Sequence, residues 1–168
     1  MARSLVLGSG SLRQPVYAWS MSRQKVAAPF VLGELYDGAQ GPTIMLVMVT
    51  LAAGDWLQDT FRTLARLKEP CTLTASPYVR VINIAVIEMI CLADGPRIAV
   101  RKHDTGADDS FLWSATEEGW LYLADLVQPL CDGVAGHQYL TERKDDAAVI
   151  ELSSGEPEVL RVAQLATR

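Results

Sequence analysis

Hydrophobic residues are densest between residues 78 and 102, where two apolar stretches flank a turn signal. Residues 78–93 are rich in Val and Ile, whose branched Cβ atoms favour extended backbone, and only three polar side chains interrupt them. After an Asp-Gly-Pro sequence, residues 97–101 alternate Ile and Val with polar or small side chains, as strands with one buried face do. The pattern predicts a β-hairpin whose first strand lies inside a sheet that is covered on both faces.

Two other segments have the spacing of helices. In the first, Asp55 and Gln58 stand three residues apart, as in a capping box, and the apolar residues of 57–65 then recur on one face. In the second, residues 114–117 form a capping-box sequence before an apolar stripe that Pro129 should kink or end. These signals predict two amphipathic helices that pack on the sheet.

Shorter apolar stretches bounded by Gly, Pro or charged residues predict the remaining strands. They cover residues 44–51, 71–75, 111–113, 138–141 and 147–152. Residues 1–42 alternate short apolar pieces with turns and form a β-rich N-terminal part. Because long β-rich segments surround only two helices, we predict one α+β domain over residues 1–168, a mostly antiparallel β-sheet with two packed α-helices.

The charged residues are distributed unevenly along the chain, whose net charge is -5. Residues 1–102 hold eleven of the fifteen Lys and Arg residues but seven of the twenty acidic ones, whereas residues 103–168 form an acidic C-terminal part with thirteen acids and four bases. Such a segment attracts a basic protein surface and repels nucleic-acid phosphates. Because the bases of residues 1–102 do not form a run, we expect no nucleic-acid binding. The alternative is that the acids only keep the exterior soluble.

Cofactor and metal motifs are missing from the sequence. Cys71, Cys91 and Cys131 are odd in number and widely spaced among apolar residues, which fits reduced buried thiols rather than a disulfide framework or a metal site. The acidic segment 103–109 lacks the ligand spacing of an EF-hand, and the glycines within residues 8–10 lack the rest of a phosphate-binding motif. We therefore predict neither a cofactor nor a metal, and a β-turn at residues 8–10.

The apolar stretches predict no membrane span. Residues 43–53 are too few for a bilayer, which needs about 20 residues, and residues 78–93 contain charged side chains. Only three apolar residues precede Gly8 near the start of the chain, so the apolar region of a secretory signal is missing. The expectation is a cytoplasmic protein without membrane contact.

One set of residues is compatible with catalysis. Cys131, His137 and Asp146 are of the types that serve as nucleophile, base and orienting carboxylate in a cysteine-dependent hydrolase. Against this, Cys131 falls at the predicted end of a helix, where the negative end of the dipole raises a thiol pKa. We predict that the protein is not an enzyme and keep the small hydrolase as an alternative.

The C-terminal part contains three short sequences in order. They are Glu118-Gly119-Trp120-Leu121, Gly136-His137-Gln138-Tyr139-Leu140 and residues 148–156. Together they resemble the C-terminal pattern of small bacterial proteins, some of which are similar to immunity proteins of polymorphic toxin systems. The resemblance brings no catalytic residues with it and implies an intracellular protein that works by binding.

Charge and resemblance together predict a non-enzymatic binding protein, namely an immunity protein that neutralises a toxin by occluding a basic partner with an acidic surface. The carboxylates expected to contact the partner are Asp108, Asp109, Glu142, Asp145 and Asp146. An alternative function is a structural or assembly subunit of a phage or secretion particle, in which apolar strands and the N-terminal segment pair with neighbouring subunits.

Overall fold

The computed structural model describes residues 30–39, 41–103, 109–141 and 146–155. The predicted turn at residues 8–10 lies outside these ranges. The described strands are β1 (Val31–Gly38), β2 (Gly41–Met48), β3 (Cys71–Thr72), β4 (Val79–Ile82), β5 (Val86–Leu92), β6 (Ile98–Lys102), β7 (Ser110–Thr116), β8 (Gly136–Tyr139) and β9 (Val149–Ser154). The helices are α1 (Leu51–Leu67) and α2 (Glu117–Cys131), and a 3-10 turn at Leu73–Ala75 follows β3.

The described strands form two mixed sheets. One has the order β4-β1-β2-β9-β8 and the other the order β3-β5-β7-β6. The α+β class and the two helices are confirmed. The prediction of one sheet is corrected, because the described strands lie in two, and both sheets are mixed, since three of the seven described strand pairs are parallel. Parallel neighbours require crossover connections, and strand-sized apolar stretches do not reveal which connections cross over.

The predicted hairpin within residues 78–102 is wrong. Asn83 adopts a left-handed backbone conformation with φ of 60°, which ends β4 in one sheet and lets β5 begin in the other. Asn is one of the few residues besides Gly that adopt this conformation readily. The two arms are also separated, because β7 lies between β5 and β6, parallel to the first and antiparallel to the second.

The first predicted helix begins earlier than its sequence signal. α1 starts after Thr50, so Asp55 lies inside the helix and not at its cap. Packing against α2 explains the extension. Gly54 lies so close to Cys131 that an added Cβ would be 2.6 Å from the Cys131 Sγ. The tertiary contact therefore outweighs the local capping signal.

The cap of the second helix lies two residues after its predicted position. Thr116 Oγ1, and not the Ser114 hydroxyl, accepts a hydrogen bond from the Gly119 N–H at 3.2 Å. The helix continues through Pro129 to Cys131. None of the helices among the described residues is long and apolar enough to cross a membrane.

The two helices pack against each other in antiparallel fashion. In the middle of α1, Gln58 is buried and its Nε2 donates to the Ala124 carbonyl at 2.9 Å and to the Gln128 Oε1 at 3.0 Å. Just past the end of α1, Lys68 forms an ion pair with Glu117 at the start of α2. These contacts fix the register of the helix pair.

One core joins the helix pair to both sheets. Phe61 of α1 lies at its centre, with its ring centroid 5.4 Å from that of Trp113 in β7 and 5.4 Å from that of Trp120 in α2. All three rings are fully buried. The Trp120 indole N–H donates to the Ile90 carbonyl at 3.0 Å, so this buried polar group is satisfied. The cluster ties α1, α2 and the second sheet into one unit.

Candidate functional site

A groove of about 380 Å³ runs along one side of α1. The 3.6-residue helical repeat places a second stripe of side chains beside the buried face of this helix. On the α1 side the groove is lined by Trp56, Asp59, Thr60, Thr63 and Leu67 of this stripe and by the edge of Leu64, which belongs to the buried face. Because α1 is anchored in the core by Phe61 and Leu57, the stripe forms a rigid wall.

The opposite wall of the groove comes from the chain that follows α1. Lys68 has a left-handed φ of 58°, and its N–H donates to the Leu64 carbonyl at 2.9 Å. A residue in this conformation ends a helix and turns the chain. Glu69, Pro70 and Cys71 consequently line the groove together with α1.

Large apolar side chains remain accessible along the groove. The Trp56 indole meets the Tyr78 ring edge-on, with 5.9 Å between ring centroids and an angle of 71° between ring planes. Tyr78, which contacts Trp56 but is not among the lining residues, is 38% exposed, and Leu67 of the lining is 50% exposed. Single exposed apolar residues are common on protein surfaces, whereas several around one concave surface are typical of a binding site.

The charged side chains that line the groove are both acidic, Asp59 on α1 and Glu69 after it. The Cys71 thiol stays neutral at neutral pH, because burial raises its pKa. The Thr60 hydroxyl donates to the Trp56 carbonyl at 2.8 Å, within the helix. The groove therefore combines an apolar surface with two sites that attract cations.

The five carboxylates predicted to bind a partner are placed only in part. Asp108, Glu142 and Asp145 lie outside the described residues. Asp109 precedes β7, and its carbonyl accepts a hydrogen bond from the Ala85 N–H at 3.0 Å.

Asp146, the fifth predicted carboxylate, lies beside the edge strand β6. Its Oδ1 accepts a hydrogen bond from the Val100 N–H at 3.1 Å, and the Ala147 N–H donates to the Val100 carbonyl at 2.8 Å. Both contacts cover backbone groups at the edge of the second sheet, where such groups otherwise invite pairing with another chain. The structure thus gives Asp146 a contact within the fold, and partner binding by the predicted carboxylates stays a prediction.

Bases of the same chain compensate two further C-terminal acids. Glu117 Oε2 lies 3.0 Å from Lys68 Nζ, and this hydrogen bond and the Glu117 charge raise the pKa of Lys68. Glu118 Oε1 lies 4.0 Å from Arg97 Nε. The acids in the first turn of α2 therefore add less to the external field than their number suggests.

The residues of the hydrolase alternative make separate contacts in the fold. Cys131 ends α2 beside Gly54, and burial together with the nearby Asp55 carboxylate raises the pKa of its thiol, which disfavours the reactive thiolate. The His137 ring on β8 lies against the ring of Tyr139, with 5.4 Å between centroids. The Asp146 carboxylate contacts β6, as described above.

The groove was not identified from the sequence, although part of its signal was present. A second set of residues repeats at helical spacing next to the predicted core stripe, at positions 56, 60, 63 and 67. Two of these residues, Trp56 and Leu67, are large and apolar. A helix with two apolar stripes has a second face to cover. The wall formed by residues 69–71 gave no such signal, because it depends on the backbone conformation of Lys68.

Groups of three or more His, Cys, Asp or Glu side chains that could hold a metal ion do not occur among the described residues. Comparison of the chain with protein-family models, with curated proteins and with solved structures finds no match in any of the three.

Proposed function

We propose that this is a non-enzymatic binding protein that takes up a basic, partly apolar segment of a partner protein in the groove beside α1. The observation that carries the proposal is the lining of the groove, in which Trp56 and Leu67 supply apolar surface and the charged residues are Asp59 and Glu69. Protein interfaces combine these two features in the same way, with aromatic anchors and charged rims.

The two kinds of lining residue contribute differently to binding. Burial of Trp56 and Leu67 by a partner removes apolar surface from water and supplies most of the affinity. The carboxylates select a basic partner and accelerate its approach. The acids within residues 103–168, among them Asp108, Glu142 and Asp145, extend the negative field and steer such a partner.

In the narrower form of the proposal, the partner is a toxin and the protein is an immunity protein that occludes a basic surface of it. The resemblance of residues 118–156 to immunity-type proteins supports this form. Co-expression with a growth-arresting product of a neighbouring reading frame tests it. Growth should be rescued only when the groove is intact, and equal growth arrest with and without the chain would contradict this form.

Titration with a short synthetic peptide that carries leucine and lysine at helical spacing tests the general proposal. We expect saturable NMR shift changes of the backbone amides of residues 56–71 and of Tyr78. Affinity should fall about tenfold from low to high salt, because the two carboxylates act partly through screened charge interactions.

The matched control is a leucine–glutamate peptide of the same length and spacing. It offers the same apolar surface, so any difference between the two peptides reports the charge of the groove. Equal binding of both peptides, or shift changes that avoid residues 56–71, would refute the assignment of the groove to a basic partner.

A further inference from the structure

The second sheet, of order β3-β5-β7-β6, has one face in the core and one face turned away from both described helices. Met89, Val100 and Trp113 point into the core from its three longer strands. Because side chains alternate along a strand, the residues next to them in the sequence point to the opposite face, which we call the outer face of the second sheet. Its central residues are Glu88 and Ile90 of β5, Leu112 and Ser114 of β7, and Ala99 and Arg101 of β6.

Opposite charges flank the centre of this outer face. The strand register places Glu88 and Arg101 on either side of Leu112, in one row across β5, β7 and β6. The Glu88 side chain is 33% exposed and contacts His103, whereas Arg101 is exposed. Leu112, which lies between them, is partly buried. The row therefore runs from a carboxylate through an apolar side chain to a guanidinium group.

The next row of the outer face has a large side chain on one side and a small one on the other. Ile90 and Ala99 flank Ser114 in the strand register. The Ser114 hydroxyl donates to the Ala99 carbonyl at 3.3 Å, so this polar group is satisfied within the sheet. The surface over Ala99 and Ser114 is therefore low and without an unpaired hydroxyl, whereas Ile90 raises the surface over β5.

We propose that the outer face of the second sheet binds the same face of a second copy of this chain. A two-fold axis that is parallel to β7 and passes over it brings β5 of each copy opposite β6 of the other. Residues of the same row then meet, so that Glu88 faces Arg101 of the partner subunit, and the pair occurs twice. In the next row, the large Ile90 packs over the small Ala99 of the partner subunit.

The arrangement of charge and size favours a second copy over a different protein. A row with an acid at one end and a base at the other is complementary to itself after a two-fold rotation. A partner of uniform charge would meet a like charge at one end of the row. Contact between the copies also removes Leu112 and Ile90 from water, which stabilises the dimer.

The proposed interface is small, because β5 and β7 have seven residues each and β6 has five. Interfaces that bury less than about 1,200 Å² dissociate readily. We therefore expect a reversible dimer that forms at micromolar chain concentrations. The groove beside α1 contains none of the residues of this face, so the dimer and the proposed function can each fail without the other.

Sedimentation equilibrium of the full chain over a range of concentrations tests the proposal, and we expect a monomer–dimer equilibrium. Arg101→Glu should raise the dissociation constant of the dimer at least about tenfold, because it sets two carboxylates against each other at both ends of the row. Adding Glu88→Arg to this variant should return the dissociation constant to within about threefold of the original, because each end again has one acid and one base.

The matched control is Arg66→Glu. Arg66 is an exposed base on α1, away from the outer face, so its reversal changes the net charge as much as Arg101→Glu does. It should change the dissociation constant by no more than about twofold. The proposal would be overturned by a monomer at every concentration, by equal effects of Arg101→Glu and Arg66→Glu, or by a charge swap that folds but does not restore the dimer.

Oxidative crosslinking gives a second measurement that leaves both charges in place. Leu112→Cys puts a thiol beside the two-fold axis, opposite the same thiol of the second copy. Oxidation with copper phenanthroline and oxygen should link at least about half of the chains as disulfide dimers. Leu121→Cys, at an exposed position on α2, is the control and should link no more than about a tenth of the chains. Equal linking of the two variants would contradict the two-fold arrangement.

Discussion

Replacing both Asp59 and Glu69 with lysine is expected to weaken binding of the leucine–lysine peptide by about ten- to a hundredfold. The substitutions turn two attractive contacts into two repulsive ones at the lining of the groove. Each exposed charge contact contributes up to about 1 kcal/mol, and reversal adds repulsion of similar size. Isothermal titration calorimetry at low salt measures the change.

The control for this charge reversal is the pair Asp94→Lys and Asp125→Lys. Both residues are exposed and neither lines the groove. The control variant therefore has the same net charge as the Asp59 and Glu69 variant, but its groove is unaltered. Its affinity should fall by no more than about threefold, through the long-range field alone. Equal losses in the two variants would mean that net charge, and not the groove, determines binding.

Gly119→Ala is expected to destabilise the protein by about 2–4 kcal/mol. In a helix this substitution ordinarily stabilises by up to about 1 kcal/mol, so the predicted sign is opposite to the helix propensity. The reason is the neighbouring backbone. A Cβ at position 119 would lie 2.0 Å from the Arg97 carbonyl oxygen, which also accepts a hydrogen bond from the Thr116 N–H at 3.1 Å.

Guanidinium unfolding followed by circular dichroism measures this effect. Leu121→Ala on the same helix is the control, because Leu121 is 45% exposed and its loss should change the free energy of unfolding by about 0.5 kcal/mol or less. A higher unfolding midpoint for Gly119→Ala would contradict the close approach of α2 to the strand connection at Arg97.

The features that the sequence predicted correctly are local ones. The helical spacing of Leu57, Phe61 and Leu64 identified α1, and the apolar stretch 44–51 identified most of β2. In α1 one buried face imposes its period on the sequence, whereas in β2 burial on both faces leaves a continuous apolar run. The ends were less accurate, because Gly54 extends α1 by packing on α2, and this contact leaves no local pattern.

The pairing of strands was predicted less well. The run from residue 78 to residue 93 is mostly apolar. Of its three polar residues, the one that breaks it is Asn83, and Asn is also found in ordinary strands. Whether such a residue takes the left-handed conformation depends on which sheet each half of the run joins. The insertion of β7 between β5 and β6 is likewise set by packing across the whole domain.

The candidate site, like the strand pairing, could be predicted from the sequence only in part. The acid-rich C-terminal part drew attention to Asp109 and Asp146, but the structure gives Asp146 a backbone contact at the edge of a sheet. The groove combines a helix face with three residues that follow a left-handed turn at Lys68. A count of charges along the sequence does not show which carboxylates share a concave surface with aromatic side chains.

Alkylation of Cys71 tests the binding groove most directly. Cys71 lines the groove, whereas Cys91 and Cys131 do not. All three cysteines are half-buried, and the pKa of each thiol is raised above the ordinary value for cysteine. All three thiols therefore react with an alkylating reagent only at alkaline pH, where the thiolate forms. Iodoacetamide labelling at alkaline pH, read by mass spectrometry for each cysteine, compares the free protein with the protein saturated by the leucine–lysine peptide. We predict that the peptide slows labelling of Cys71 at least fivefold and leaves Cys91 and Cys131 unchanged. Labelling of Cys71 at the same rate with and without saturating peptide would contradict the account.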